Sequence, residues 1–149
     1  MLFVSAVHAG DVEDGHDTIL EKNYPLALSK YKSAAVKNNA VAQFQLGNMY
    51  NEGRGVVQDY AEAVKWYKLA AGQGFASAQH NLGFMYDNVQ GVVQDYVRAH
   101  MWLNLAAAQG NANAVKNRDI VAAKMTTQQI AEAQKLAREC KARNYKNCD

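Results

Sequence analysis

The 149-residue chain carries 16 basic and 14 acidic side chains, for a formal net charge of +2, with 49% hydrophobic residues and one proline. That length fits a single domain, and so balanced a charge presents no stripe matched to nucleic acid. Few β-branched runs argue against a sheet, and no apolar run approaches the ~20 residues that span a bilayer.

Residues 1–9 open the chain with the apolar run Leu2 to Val7, followed by Val7-His8-Ala9, whose spacing suits signal-peptidase cleavage. This stretch reads as the remnant of a signal peptide that starts upstream, which implies a periplasmic or secreted protein. A segment packed on the first helix of a cytoplasmic protein is the alternative. Asp11–Lys22 reads as a helix, with Val12, Ile19 and Leu20 apolar. Asn23 caps the next helix, and Pro25 falls in its first turn, where a missing N–H costs nothing. Tyr24, Ala27, Tyr31, Ala34 and Ala35 share one face of it, so residues 10–40 form an N-terminal hairpin.

The next 72 residues say the same thing twice: 41–76 and 77–112 agree at 20 of 36 aligned positions. A fixed period of this size marks a stacked array. Leu46-Gly47 returns as Leu82-Gly83, Tyr50 as Tyr86, Tyr60 as Tyr96, Trp66 as Trp102 and Gly74 as Gly110. Each repeat reads as two amphipathic helices: Ala42, Leu46, Met49 and Tyr50 stripe the first, while Tyr60, Ala63, Trp66, Tyr67 and Ala70 stripe the second. A glycine inside the first helix costs about 1 kcal/mol, so Gly47 and Gly83 predict a neighbouring backbone too close for a Cβ. Gly53-Arg54-Gly55 ends the first helix. Asp59 and Asp95 cap the second, with Glu62 placed to complete a capping box. Gly74 and Gly110 close it.

Residues 113–149 read as C-terminal capping helices and a tail. Asn113–Met125 is a helix in which Arg118-Asp119 replaces Leu-Gly, and Thr126-x-x-Gln129 is a capping box opening a last helix. Ile130, Ala133, Leu136, Ala137 and Cys140 stripe that last helix. Terminal repeats of an array need a soluble outer face.

These residues resemble the Sel-one-like (SLR) repeat family, relatives of the tetratricopeptide repeats. The match runs through A-x-x-x-L-G-x-x-Y, G-x-G-V-x-x-D-Y and A-x-x-W-Y-x-x-A-A-x-x-G, carried twice. The resemblance implies an all-α, right-handed superhelical solenoid of about eight helices. One departure is Val89, which stands where Gly53 does, and Asn88 beside it is expected to take the left-handed conformation. Exported members of the family carry similar C-terminal cysteine pairs, which implies a Cys140–Cys148 disulfide; two reduced thiols are the alternative. An eight-residue separation requires the chain to turn back between them.

His8, His16, His80 and His100 show no metal or triad spacing, and His80 and His100 read as solvated helix-face residues. No cofactor is implied. Ser29-Lys30-Tyr31-Lys32 satisfies S-x-x-K, the nucleophile motif of serine β-lactamases, but the S-D-N and K-T-G partners are absent. A small β-lactam-binding hydrolase is therefore the weaker reading, beside a self-associating envelope component. The stronger one is a non-catalytic adaptor. In related arrays the first helices line a concave surface that takes a peptide or partner protein. Phe44, Asn48 and Asn51, with His80, Phe84 and Asp87 one repeat on, occupy that face as rings and amides suited to a peptide. Packing of Phe44 and Phe84 into the inter-repeat core is the alternative for the two rings.

Overall fold

The computed structural model describes residues 11–19 and 22–149, and among these every regular element is a helix. Helix α1 spans 11–19, followed by α2 (Tyr24–Ala35), α3 (Ala40–Glu52), α4 (Tyr60–Ala71), α5 (Ala76–Asn88), α6 (Tyr96–Ala108), α7 (Ala112–Ala122) and α8 (Thr127–Ala142). The signal-like stretch 1–9 and Leu20 lie outside the described residues. The first helix does not reach Lys22 as the periodicity predicts: Lys22 has φ 58° and its N–H bonds the carbonyl of Ile19.

Side-chain caps explain where most helices begin. Asn23, Asn39, Asp59, Asp95 and Asn111 each accept from the backbone N–H three residues on. Thr126 and Gln129 form the reciprocal capping box. Glu62 does not form one with Asp59, because its carboxylate binds Lys65 instead. Phe75 occupies the capping place of α5 without a cap bond, and its ring packs 5.2 Å from that of Phe44. Apolar contact there replaces a polar cap.

The chain forms an all-α helical solenoid. Helix α3 packs on α4 and α5 on α6, and each second helix packs on the first helix of the next pair. Tyr31 and Tyr67 are the large rings at the centre of this stack, each 1% exposed. The glycine inside α3 exists for one of them: a Cβ on Gly47 would collide with the Tyr67 ring, and one on Gly15 would lie 2.8 Å from that of Tyr31. The expected backbone approach is therefore a ring approach at Gly47. At Gly83 the partners are Leu103 Cγ, 2.7 Å from an added Cβ, and the carbonyl oxygen of Ala99 at 2.9 Å.

Val89, not Asn88, takes the left-handed position that ends α5, with φ 58°. Asn88 stays helical and donates its amide to the carbonyl of Phe84 at 2.9 Å. A branched residue is thus held where glycine serves in the preceding repeat.

Two buried glutamines join the repeats. Gln43 donates back to the carbonyl of Ala35 and accepts from Gln73 at 2.8 Å; Gln79 donates to that of Ala71 and accepts from Gln109 at 2.9 Å. Buried polar groups must be paired, and here pairing crosses the α2–α3 and α4–α5 junctions.

Helix α8 rests on α6 through Ala133, Ala137 and Cys140. Beyond it Asn144, Tyr145 and Asn147 all have positive φ and fold the chain back, closing the Cys140–Cys148 disulfide with 5.3 Å between Cα atoms. The tail lies on the preceding helices: the Tyr145 ring blocks any Cβ on Gly74, and Lys146 donates to the carbonyl of Gly72 at 3.0 Å.

Candidate functional site

The face presented by α3, α5 and α7 holds a cavity of about 330 Å³ lined by Asn48, Asn51, Tyr67, His80, Phe84 and Asn117, among others. Helical periodicity brings these residues together. Asn48 and Asn51 stand one turn apart on α3, His80 and Phe84 one turn apart on α5, and Asn117 reaches in from α7.

A continuous hydrogen-bond chain fixes the polar wall. The Tyr67 hydroxyl donates to Asn48 Oδ1 at 2.7 Å, and Asn81 Nδ2 donates to the same oxygen at 3.4 Å. Asn81 Oδ1 lies 3.1 Å from His80 Nδ1, and His80 Nε2 lies 2.9 Å from Asn117 Nδ2. An amide nitrogen can only donate, so the chain is self-consistent with His80 neutral and its proton on Nδ1. Burial pushes the Tyr67 hydroxyl well above the usual phenol range, which keeps that donor protonated. The wall therefore carries neutral donors and acceptors, bordered by the exposed Glu52. Among the described residues the Asn51 side-chain amide has no hydrogen-bond partner; only its backbone carbonyl is engaged, by Gln58 Nε2 at 2.7 Å.

The six residues expected on this face separate. Asn48, Asn51, His80 and Phe84 line the cavity together. Phe84 is 44% exposed and also borders a neighbouring cavity of about 260 Å³ with Asp87, Ile120 and Lys124. Asp87 is engaged by Lys124 at 2.7 Å, and Lys124 lies over the Tyr96 ring. Phe44 turns inward, its ring 5.9 Å from that of Tyr67 and 5.2 Å from that of Phe75. Repeat alignment treats Phe44 and His80 as equivalents, yet one ring is structural and the other belongs to the polar wall. Asn81 carries no sequence signal of membership, because it aligns with Gln45 and lies between two stripe residues. Tyr67 reads from the sequence only as core, and its hydroxyl adds the polar role.

Ser29 and Lys32 are both exposed on α2, so among the described residues the S-x-x-K match lies on an open helix face. His100 corrects the expectation of a solvated residue: it is 3% exposed, in the place of the buried Val64, and its Nδ1 has no partner among the described residues. Burial and the nearby Arg118 lower its pKa. Among the described residues no helix is long and apolar enough to cross a membrane.

The Sel1 repeat family model matches residues 40–75 and 76–111. A protective antigen present in uropathogenic Escherichia coli strains, whose crystal structure displays an SLR fold, aligns with TM-score 0.87 and 30% identity over 93% of this chain and 31% of that one. The Sel1 repeat protein of Oxalobacter formigenes aligns with TM-score 0.71 and 32% identity, covering 76% of this chain and 46% of that one. The component HRD3 of an ERAD-associated E3 ubiquitin-protein ligase from Candida glabrata is 45% identical over 56 residues, 38% of this chain and 6% of that protein. The chain thus spans less than half the length of each.

Proposed function

Because the chain carries two Sel1 repeats, we propose that it is a non-catalytic scaffold that holds an extended segment of a partner protein in the cavity between α3, α5 and α7. Sel1 repeats mediate protein interactions. The observation that carries it is the uncharged wall in which the Tyr67–Asn48–Asn81–His80–Asn117 chain is already satisfied while Asn51 and the Phe84 ring are left free. Asn51 can bond a peptide backbone group, and Phe84 can cover an apolar side chain. A pre-set wall lowers the ordering cost of binding, and one exposed ring flanked by amides suits a peptide anchor. The disulfide favours an oxidising compartment, in line with a periplasmic or secreted protein.

The test is selection of displayed random dodecapeptides on the parent, followed by binding of the enriched peptides to Phe84→Ala and Asn51→Ala. At least a tenfold loss of affinity in either variant is expected. Peptides that bind both variants as well as the parent would place the interaction elsewhere.

A further inference from the structure

Donors from three helices converge on one carboxylate. Asp149 Oδ1 accepts from the Tyr86 hydroxyl at 2.6 Å and from the Trp102 indole N–H at 3.3 Å, with Arg98 Nε at 3.6 Å. Lys68 Nζ pairs with Oδ2. Lys68 comes from α4, Tyr86 from α5, and Arg98 and Trp102 from α6, so stacking of the repeats sets these groups independently of the tail. Trp102 is 2% exposed and Tyr86 6%. The acceptor alone arrives on the tail, next to the disulfide.

The preceding repeat shows the same pair without a tail. Tyr50 and Trp66 stand 36 residues before Tyr86 and Trp102, with Lys32 matching Lys68 and Glu62 matching Arg98. There the Trp66 indole N–H is buried and has no partner among the described residues. The repeat supplies a buried donor and no acceptor for it. Only the second repeat adds an arginine, where the first has a glutamate.

Charge selects the ligand. Arg98 is already paired with Asp95 at 2.6 Å, so removal of the Asp149 carboxylate leaves the Lys68 ammonium uncompensated beside two largely buried donors. A cavity of about 420 Å³ adjoins the carboxylate between Lys68, Tyr86, Arg98 and the 92–95 loop, which gives an incoming chain room to approach. None of its lining residues belongs to the α3–α5–α7 cavity.

We infer that Lys68, Tyr86, Arg98 and Trp102 form a binding site for an acidic side chain of a partner polypeptide, filled in cis by Asp149 while the Cys140–Cys148 bridge holds the tail. A carboxylate on so short a tether competes at millimolar effective concentration or above. The site therefore opens to a dilute partner only when the tail is disabled.

The probe is a fluorescein-labelled pentapeptide, Tyr-Lys-Asn-Ser-Asp, patterned on the tail, alongside the same peptide ending in Asn. Anisotropy is measured with the oxidised parent and with full-length Cys148→Ser/Asp149→Asn. The variant is expected to bind the acidic probe at least tenfold more tightly than the parent does. It should also prefer the acidic probe to the amide probe at least tenfold. Equal binding by the two chains, or of the two probes, overturns the inference. Should the double variant not fold, oxidised Asp149→Asn is read by its indole N–H resonances: Trp102 shifts and Trp66 does not. An unmoved Trp102 resonance overturns it equally.

Discussion

Gly83→Ala is the sharpest probe of how the repeats stack. In an open helix this change would raise stability by about 1 kcal/mol, because alanine is the better helix former. Here the new Cβ would lie 2.7 Å from Leu103 Cγ and 2.9 Å from the carbonyl oxygen of Ala99, in the interface between α5 and α6. Leu103 is fully buried, and the carbonyl oxygen moves only with the backbone of α6. Overpacking costs about 1–3 kcal/mol, and a backbone partner puts this site at the upper end. Subtracting the helical gain leaves about 2 kcal/mol of net destabilisation. For a chain this size that lowers Tm by about 4–8 °C, measurable by circular dichroism. A melting temperature at or above that of the parent would refute the packing account, since only an unobstructed Cβ could let the propensity gain through.

Val89→Gly should act in the opposite sense. Relief of a left-handed valine is worth about 1–2 kcal/mol, offset by about 0.5–1 kcal/mol of added chain entropy in the unfolded state, so a small rise in Tm is expected and a fall would contradict it. Reduction of the eight-residue disulfide loop removes about 2.5 kcal/mol of unfolded-state restriction, so thermal melts with and without reductant should differ by several degrees, and coincident melts would count against a stabilising bridge. His100 makes acid destabilising: its folded pKa lies below the ordinary 6.5, so the unfolded state binds the proton more readily, and stability present above that value is lost as pH falls through and below it. His100→Gln should flatten the fall in Tm between neutral and mildly acid pH, and an unchanged slope would assign that fall to other groups. Thr126→Ala should cost about 1 kcal/mol through loss of the α8 cap, read from urea midpoints at constant m-value.

The repeats are legible because their signals are local and doubled. Leu46, Tyr67 and Ala70 announce buried faces by period, and Asp59 and Asp95 announce helix starts by chemistry. What stays hidden depends on partners distant in sequence. Nothing around Gly47 names Tyr67, a ring from the next helix, as the reason for the glycine. Phe44 and Phe84 have similar helical settings, yet only Phe44 has Phe75 to stack on, because a capping asparagine has been replaced there. His100 reads as solvated because its alignment with Val64 suggests a variable position, whereas both residues are buried. The role of Asp149 has no local signal at all, since its four contacts lie 47 to 81 residues back along the chain. The expected Asn88 turn fails for a simpler reason: the residue in register with Gly53 keeps the geometry of that position despite its side chain.

The glutamine links between hairpins bear on how such a chain can lengthen. Each repeat carries both halves of its connector, a glutamine that reaches back to the hairpin before it and another that secures the first from its own closing loop. A tandem copy inserted in register would bring its own fastening and would leave no donor stranded at the joint. Length is then adjustable in whole units of 36 residues, with the terminal helices and their bridged tail transferred unchanged to the new end.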